Sequence, residues 1–231
     1  LEKVRWQNIN SEFDPYKFNS FPVNASRQVN RSTRALQESL LRPFHMGAMY
    51  NMLGYSRLVN GNFKLARDAL AKSRSYHEQA GSSFGLTYCS IFSGMLNRIQ
   101  GKLHSAAADF RQAEDISILD SGERSAGAAV ARLMQGVVLY EWNRIDEAER
   151  LIAADISLVE ECTIAEALVL GCITLARIKA GQGRLEDATQ CYAKIRAICS
   201  RGKLRRLLLL VENDYVRMLI NGNDLAAAEQ V

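Results

Sequence analysis

A short pattern recurs five times along the 231-residue chain at nearly constant spacing. Each copy has a turn-forming Gly or Asn, an apolar residue two positions later and an alanine five positions later. The turn-forming residues, which we call anchors, are 40, 42, 40 and 40 positions apart: Gly61, Gly101, Asn143, Gly183 and Asn223. Self-similarity at a fixed period is typical of repeat proteins, in which copies of one structural unit stack on each other.

Helical periodicity follows each anchor. Counted from the apolar residue two positions after the anchor, offsets 0, 3 and 7 are apolar in the first four copies, as in Phe63, Ala66 and Leu70. These offsets lie on one face of an α-helix. Offsets 10 and 14 are more often polar, as in Asp155 and His77. We therefore expect a helix whose later turns leave the core.

A small residue precedes each of the first four anchors by seven positions, inside another apolar stretch. These residues are Gly54, Gly94, Gly136 and Ala176, and the fifth copy departs with Val216. Glycine inside a helix costs about 1 kcal/mol relative to alanine, so its recurrence needs a packing reason. We expect two antiparallel helices to be in close contact at these positions, so that each unit is a helix pair.

Composition agrees with an all-α protein that has no membrane contact. No proline occurs after Pro43, and a long stretch without proline is typical of packed helices. The net charge of +4 is too small to indicate a nucleic-acid or membrane partner by itself. The longest uninterrupted apolar run, 207–211, is far shorter than the roughly 20 residues of a membrane-spanning helix.

The cysteines and histidines indicate neither a disulfide framework nor a metal site. Five cysteines without a C-x-x-C pair fit reduced thiols and a cytoplasmic location. The histidines are too far apart in sequence to form a local pair of metal ligands. The residues are Cys89, Cys162, Cys172, Cys191 and Cys199, with His45, His77 and His104.

The repeats divide the chain into an N-terminal segment, 1–42, and an array, 43–231. The array is predicted to contain units at about 43–83, 84–123, 124–162 and 163–203 and a partial unit at 204–231. The N-terminal segment is rich in aromatic residues, and 25–41 fits the second helix of a degenerate pair, so we expect it to cap the array. Because the chain begins with Leu1 and stops within a predicted helix, we expect it to be an excised piece of a longer protein.

The spacing within each unit resembles the tetratricopeptide repeat. Gly94, Gly101, Ala106 and Phe110 match its series of small residue, turn glycine, alanine and bulky residue. The period of about 40 exceeds the usual 34 or so, and no proline ends the second helix. The resemblance implies a superhelix of antiparallel helix pairs whose concave surface is a binding groove.

A narrower resemblance covers the chain from about residue 85 onward. The segments 139–149, 175–181 and 212–229 look like the helical repeat region of MalT-like regulators of the LuxR type, and the most specific step is Tyr140-Glu-Trp-Asn143. In that family a nucleotide-binding module precedes the repeats and a helix-turn-helix domain follows them. The resemblance implies that this region senses a small-molecule inducer or a regulatory protein. ATP and DNA would then be bound by other domains of the parent, which oligomerises with ATP bound, and self-association of the region is also expected.

The concave wall of such an array is formed by the first helix of each pair. Positions six before, three before, one after and four after the small residue are expected to face inward. Arginine at these positions could bind carboxylate or phosphate, and tyrosine could pack on a ring or sugar. An anionic or polyhydroxylated ligand is therefore predicted. The alternative is that the tyrosines pack and the arginines keep the groove hydrated. The candidates are Asn51, Tyr55, Tyr88, Arg98, Tyr140, Arg177, Asn213 and Arg217.

Two further patterns could indicate other functions. The segment 81–85 matches the nucleophile elbow G-x-S-x-G, but a predicted helix precedes it instead of a strand, so we interpret it as a loop. A basic cluster near residue 200 lacks interleaved aromatic residues, so we interpret it as a solvated loop. Its members are Lys194, Arg196, Arg201, Lys203, Arg205 and Arg206.

Two hypotheses about function remain open. The first is a signal-sensing, non-enzymatic domain of a bacterial transcriptional activator, without catalytic residues, a resident cofactor or a metal. The second is a free-standing helical scaffold that binds a peptide or protein. A phosphate-binding loop and a helix-turn-helix in the parent protein would support the first, and neither pattern occurs in this chain.

Overall fold

The computed structural model describes residues 43–117, 125–160 and 164–230. The predicted capping segment, 1–42, lies outside these residues. The described residues form ten α-helices and no β-strand, which confirms the predicted all-α fold of helix pairs. The helices are α1 (Pro43–Val59), α2 (Phe63–Gln79), α3 (Ser83–Ile99), α4 (Leu103–Ile116), α5 (Ala126–Glu141), α6 (Ile145–Glu160), α7 (Ala165–Gly181), α8 (Leu185–Arg201), α9 (Arg205–Asn221) and α10 (Leu225–Ala228).

The anchors form the turns within the helix pairs. All five have a positive φ: 75° at Gly61, 72° at Gly101, 59° at Asn143, 79° at Gly183 and 60° at Asn223. This left-handed conformation favours glycine because a Cβ atom crowds the backbone, and asparagine tolerates it better than most other residues. The geometry of the turn therefore explains why the repeated pattern begins with Gly or Asn.

The small residues before the anchors lie where the two helices of a pair touch. A Cβ atom at any of these glycines would come well inside van der Waals distance of a large side chain on the partner helix. The predicted packing reason is thus confirmed, because the missing Cβ makes room for that side chain. The contacts are Gly54 to Leu70 at 2.7 Å, Gly94 to Phe110 at 2.5 Å and Gly136 to Ile152 at 2.6 Å.

The described residues fall into two compact units, one up to residue 159 and one from residue 160 onward. In the first unit α1 packs on α2 and α3 on α4, and α3 also contacts α1 and α5. In the second unit α7 packs on α8 and α9, and α10 packs on α9. First helices such as α5 are buried along most of their length, whereas second helices such as α6 bury only one face.

One expectation about the second helices is wrong. The polar residues at offsets 10 and 14 do not leave the core: Ser73, His77 and Asp155 are 0%, 1% and 1% exposed. Ser73 and Asp155 form hydrogen bonds with neighbouring helices. Nε2 of His77 lies 3.4 Å from the Asn51 amide nitrogen, whereas its Nδ1 is buried without a hydrogen-bond partner among the described residues. Offset 0 is instead the first residue of each second helix and lies at the edge of the packing, so that Leu185 is half exposed.

Candidate functional site

An aromatic ladder crosses from α1 to α3 in the first unit and contains two of the predicted site residues. It consists of Tyr55 of α1 and Phe92, Tyr88 and Phe84 of α3. The ring centroids are 4.9 Å apart for Tyr55 and Phe92, 6.2 Å for Phe92 and Tyr88, and 4.8 Å for Tyr88 and Phe84. Exposure rises along the ladder: Tyr55 and Phe92 are buried, Tyr88 is half-buried and Phe84 is 51% exposed.

Helical spacing explains why the ladder forms. Phe84, Tyr88 and Phe92 are four residues apart, so they lie above one another on one face of α3. Only Tyr88 was identified from its repeat position, and Phe84 and Phe92 were missed. The four-residue spacing of the three aromatic residues was the signal that could have found them. Partly exposed ring faces at such a place can pack against an apolar or ring-shaped surface.

Asn51, another predicted groove residue, lies inside the protein where α1, α2 and α3 meet. Its side chain is buried, and Nδ2 donates a hydrogen bond of 3.2 Å to the carbonyl oxygen of Gly85. Nδ2 also lies 3.4 Å from Nε2 of His77, and Oδ1 lies 3.0 Å from Sγ of Cys89. The prediction that Asn51 lies on the groove wall is therefore wrong. Asn51 connects three helices, because it lies on α1 and its amide contacts residues of α2 and α3.

Asn51 belongs to a neutral cluster that also contains Ser73, His77 and Cys89. Ser73 donates a hydrogen bond of 2.6 Å to the carbonyl of Gly47, and its Oγ lies 3.1 Å from the Cys89 thiol. Burial raises the pKa of the Cys89 thiol, although hydrogen bonds with Ser73 and Asn51 partly offset the shift. The thiol faces Ser73 and Asn51 and has no exposed surface, so the cluster does not provide an activated nucleophile.

The predicted groove arginines Arg98 and Arg177 are held by carboxylates of the next first helix. Nη1 of Arg98 on α3 lies 2.6 Å from Oε1 of Glu141 on α5. Arg177 on α7 forms a bidentate pair with Asp214 on α9, with Nε donating to the two carboxylate oxygens at 3.0 and 3.1 Å. These guanidinium groups are therefore already neutralised within the fold, and an anionic ligand would have to compete with a carboxylate.

Tyr192 completes what we call the Asp214 cluster, formed by the exposed Arg177 and the buried Tyr192 and Asp214. The Tyr192 hydroxyl donates a hydrogen bond of 2.6 Å to Asp214. Burial, and then the neighbouring Asp214 carboxylate, raise the pKa of Tyr192 above its ordinary value. The cluster connects α7, α8 and α9, so its arginine and carboxylate support the packing of the second unit.

The remaining predicted site residues lie apart from both clusters. Asn213 and Arg217 are exposed on one face of α9, four residues apart, and neither has a hydrogen bond or ion pair with the described residues. Tyr140 is half-buried near the end of α5, next to the Glu141 that pairs with Arg98. Of the candidates in the first unit, the structure brings Tyr55 and Tyr88 together in the aromatic ladder, whereas Asn51 lies inside the protein.

Half of the basic cluster near residue 200 is paired with carboxylates. Lys194, Arg196 and Arg206 form ion pairs with Glu160, Glu212 and Glu166, respectively. Arg201, Lys203 and Arg205 are exposed around the turn between α8 and α9. This arrangement agrees with a solvated loop.

The G-x-S-x-G segment forms the start of α3 instead of a strand-to-helix turn. Ser82 caps that helix, because its Oγ accepts a hydrogen bond of 3.1 Å from the backbone N–H of Gly85. The middle serine, Ser83, is the first residue of the helix, and α2 precedes the segment. The interpretation of this segment as a loop between repeats is thus correct only for Gly81 and Ser82, because residues 83–85 form the first turn of α3. The strand-to-helix turn of a nucleophile elbow is missing.

The described residues contain neither a metal site nor a disulfide nor a membrane-spanning helix. No group of three or more His, Cys, Asp and Glu side chains is arranged to hold a metal ion. The four cysteines in this part of the chain, Cys89, Cys172, Cys191 and Cys199, are free thiols. No helix there combines the length and apolar character needed to cross a bilayer.

Comparisons with known proteins agree with this architecture. The crystal structure of BtubC (BKLC) from P. vanneervenii is similar to the chain with a TM-score of 0.58 and 17% sequence identity, over 77% of this chain and 74% of that one. At this identity the likeness shows the fold alone, and a search of curated proteins finds no significant match. The family described as the MalT-like TPR region matches residues 23–231, which confirms the tetratricopeptide-like fold. The chain therefore belongs to the MalT-like TPR region family.

Proposed function

We propose that the chain is the signal-sensing helical repeat region of a bacterial LuxR-type transcriptional activator. The observation that carries the proposal is the family match over residues 23–231. In this proposal other domains of the parent bind ATP and contact DNA, and the parent works in the cytoplasm. The repeat region itself catalyses no reaction, holds no cofactor and contributes to self-association.

The aromatic ladder is the proposed contact for the signal. It offers ring surface that is partly exposed at Phe84 and Tyr88, whereas Arg98 and Arg177 are engaged by carboxylates. The best match is a ligand with an apolar or ring-shaped face, either a small-molecule inducer or the apolar side chains of a regulatory protein. Burial of such a face against aromatic rings favours binding by roughly 25 cal/mol for each Å² of apolar surface removed from water.

A thermal-shift screen of the chain against a metabolite library tests the proposed contact. A ligand that binds only the folded state raises Tm, and at a hundred times its Kd the stabilisation is about 2.7 kcal/mol. We expect Phe84→Ala and Tyr88→Ala to abolish the shift of a genuine hit. Leu65→Ala is the matched control, because Leu65 is 47% exposed but lies on α2, away from the ladder. Equal shifts in all three variants would exclude the ladder as the contact.

A reporter assay with the parent protein tests the regulatory role. We expect the hit to induce transcription in the wild type and not in Phe84→Ala, with normal induction in Leu65→Ala. A parent without a phosphate-binding loop or a helix-turn-helix would instead support the alternative, a free-standing scaffold that binds a peptide or protein.

A further inference from the structure

The imidazole of His77 is enclosed at the junction of α1, α2 and α3. Its side chain is 1% exposed. A Cβ atom at Gly47 would lie 2.7 Å from the ring, and one at Gly85 only 2.1 Å from it, so two helices approach the ring at positions that lack a side chain. Phe44 meets the ring edge to face, with the centroids 5.7 Å apart. Water and counter-ions therefore have little access to this imidazole.

The hydrogen bonds around His77 suit only the neutral ring. Nε2 faces the Asn51 amide nitrogen, which is a donor, so Nε2 must accept. Asn51 cannot reverse its amide without loss, because Nδ2 also donates to the Gly85 carbonyl and Oδ1 faces the Cys89 thiol. Nδ1 lies toward the Gly47 carbonyl without a hydrogen bond of standard geometry, and Ser73 already donates to that carbonyl. A second ring proton would therefore be a buried donor facing another donor.

The charged groups of the surrounding helices do not compensate a positive ring. On α2, the charge of Arg74 lowers the pKa of the nearby Cys89 thiol and the charge of Glu78 raises it, so the two charges oppose each other there. Lys72 is exposed to solvent. The titratable or charged side chains of α1 are His45, Tyr50, Tyr55 and Arg57. Besides Cys89, α3 carries only Tyr88 and Arg98. Within the described residues, no carboxylate accepts a hydrogen bond from His77.

We propose that the neutral cluster is an acid-sensitive latch: while His77 is neutral it holds α3 against α1 and α2, and protonation of the imidazole releases α3. The proposal does not depend on the proposed function. It does bear on the aromatic ladder, because the ladder crosses the same α1–α3 contact between Tyr55 and Phe92.

The direction of the pH dependence follows from proton binding. Burial lowers the pKa of His77 from its ordinary value of 6.5, and the Gly47 carbonyl only partly offsets this shift. The closed state then binds the proton less readily than the open state. The latch is fully closed above about pH 6.5 and weakens as the pH falls below that value, by at most about tenfold in the closing equilibrium for each pH unit.

Labelling of Cys89 measures the latch directly. Dipyridyl disulfide reacts with thiols at acidic as well as neutral pH, and peptide mass spectrometry locates the label in the full chain. Rates are divided by the rate of the unfolded chain at the same pH. We expect the protection of Cys89 to fall several-fold or more between about pH 7.5 and 5.5. Cys199, equally buried but in the other unit, is the internal control and should change less than about twofold.

Two variants separate the latch from general acid instability. In His77→Gln the protection of Cys89 should no longer depend on pH over this range. His104→Gln, which removes an exposed histidine of the same unit, should behave as the wild type. The proposal is overturned if His77→Gln keeps the pH dependence of the wild type, or if Cys89 and Cys199 lose protection together. Should His77→Gln fail to fold, NMR titration of the wild type decides, and a His77 ring that protonates at or above pH 6.5 overturns the proposal.

Discussion

The aromatic ladder of the first unit and the Asp214 cluster of the second use predicted groove residues in opposite ways. In the ladder, Tyr88 stays half-buried and its neighbour Phe84 remains half exposed. In the Asp214 cluster, Arg177 is held by both carboxylate oxygens of Asp214, which also accepts a hydrogen bond from Tyr192. One region leaves aromatic surface partly exposed, and the other uses its polar groups to hold helices together.

This difference shows that a repeat position predicted to face the groove cannot be assigned to ligand binding until its contacts within the fold are known. An arginine on a first helix can bond the next first helix, because a carboxylate one repeat along comes within reach. Arg98 and Glu141 repeat the arrangement of Arg177 and Asp214. Aromatic side chains four residues apart on one helix contact each other instead, and the outermost ring, Phe84, is 51% exposed.

The largest expected effect comes from breaking the Asp214 cluster. Asp214→Ala removes the carboxylate and leaves the Tyr192 hydroxyl buried without its acceptor, so we expect a loss of about 3 kcal/mol in the free energy of unfolding. Chemical denaturation measures it. Glu212→Ala, which breaks the pair with Arg196 and removes a carboxylate that is more exposed than Asp214, is the control and should cost less than about 1 kcal/mol. Equal losses in the two variants would contradict a structural role for the cluster.

A smaller effect is expected from crowding the helix that carries the ladder. A Cβ atom at Gly94 would lie 2.5 Å from the buried ring of Phe110, so Gly94→Ala should destabilise the chain by about 1–2 kcal/mol. Gly181→Ala is the control, because no atom lies within 4 Å of a Cβ there. We expect that change to be neutral or slightly stabilising in thermal unfolding. A stabilised Gly94→Ala would show that α3 is packed less tightly against α4.

The smallest effect is expected at the half-buried ion pair. Arg98→Ala should cost less than about 1 kcal/mol, because Arg98 and Glu141 are both in contact with water and screening weakens their attraction. The loss should shrink further at high salt. Chemical denaturation of Arg98→Ala and of Glu141→Ala at low and high salt measures this loss. A loss of several kcal/mol in the free energy of unfolding of either variant would show that this pair stabilises the fold as much as the Asp214 cluster does.

The sequence predicted those features of the fold that depend on local geometry. Anchors such as Asn143 are Gly or Asn because the turn between the helices needs a positive φ. Gly94 lacks a side chain because the two helices of its pair are in close contact there. Both signals recur at a fixed period, so the sequence alone makes them visible.

The buried polar residues could not be predicted in the same way. His77 and Asp155 were expected to leave the core because periodicity treats a polar residue as solvated. Their partners come from other helices: His77 lies next to Asn51, 26 positions away, and Asp155 accepts a hydrogen bond of 2.7 Å from Arg132, 23 positions away. Pairing at such separations depends on tertiary packing, so it carries no periodic signal.

The candidate site was predicted only in part. Repeat register identified Tyr55 and Tyr88, which lie in one ladder, but also selected Asn51, which the fold buries. The position of a residue within the repeat predicts the helix face on which it lies. It does not predict which neighbouring helix covers that face. The spacing of Phe84 and Phe92 around Tyr88 was the stronger signal for the aromatic ladder.

Affinity for a ligand from the thermal-shift screen is the most direct test of the proposal that the aromatic ladder contacts the signal. Isothermal titration calorimetry would compare the double variant Phe84→Ala/Tyr88→Ala with the triple variant Arg98→Ala/Arg177→Ala/Arg217→Ala, below the Tm of both. We predict at least about tenfold weaker binding for the double variant, equivalent to about 1.4 kcal/mol, and affinity within about twofold of the wild type for the triple variant. Weak binding of the triple variant with normal binding of the double variant would contradict the account.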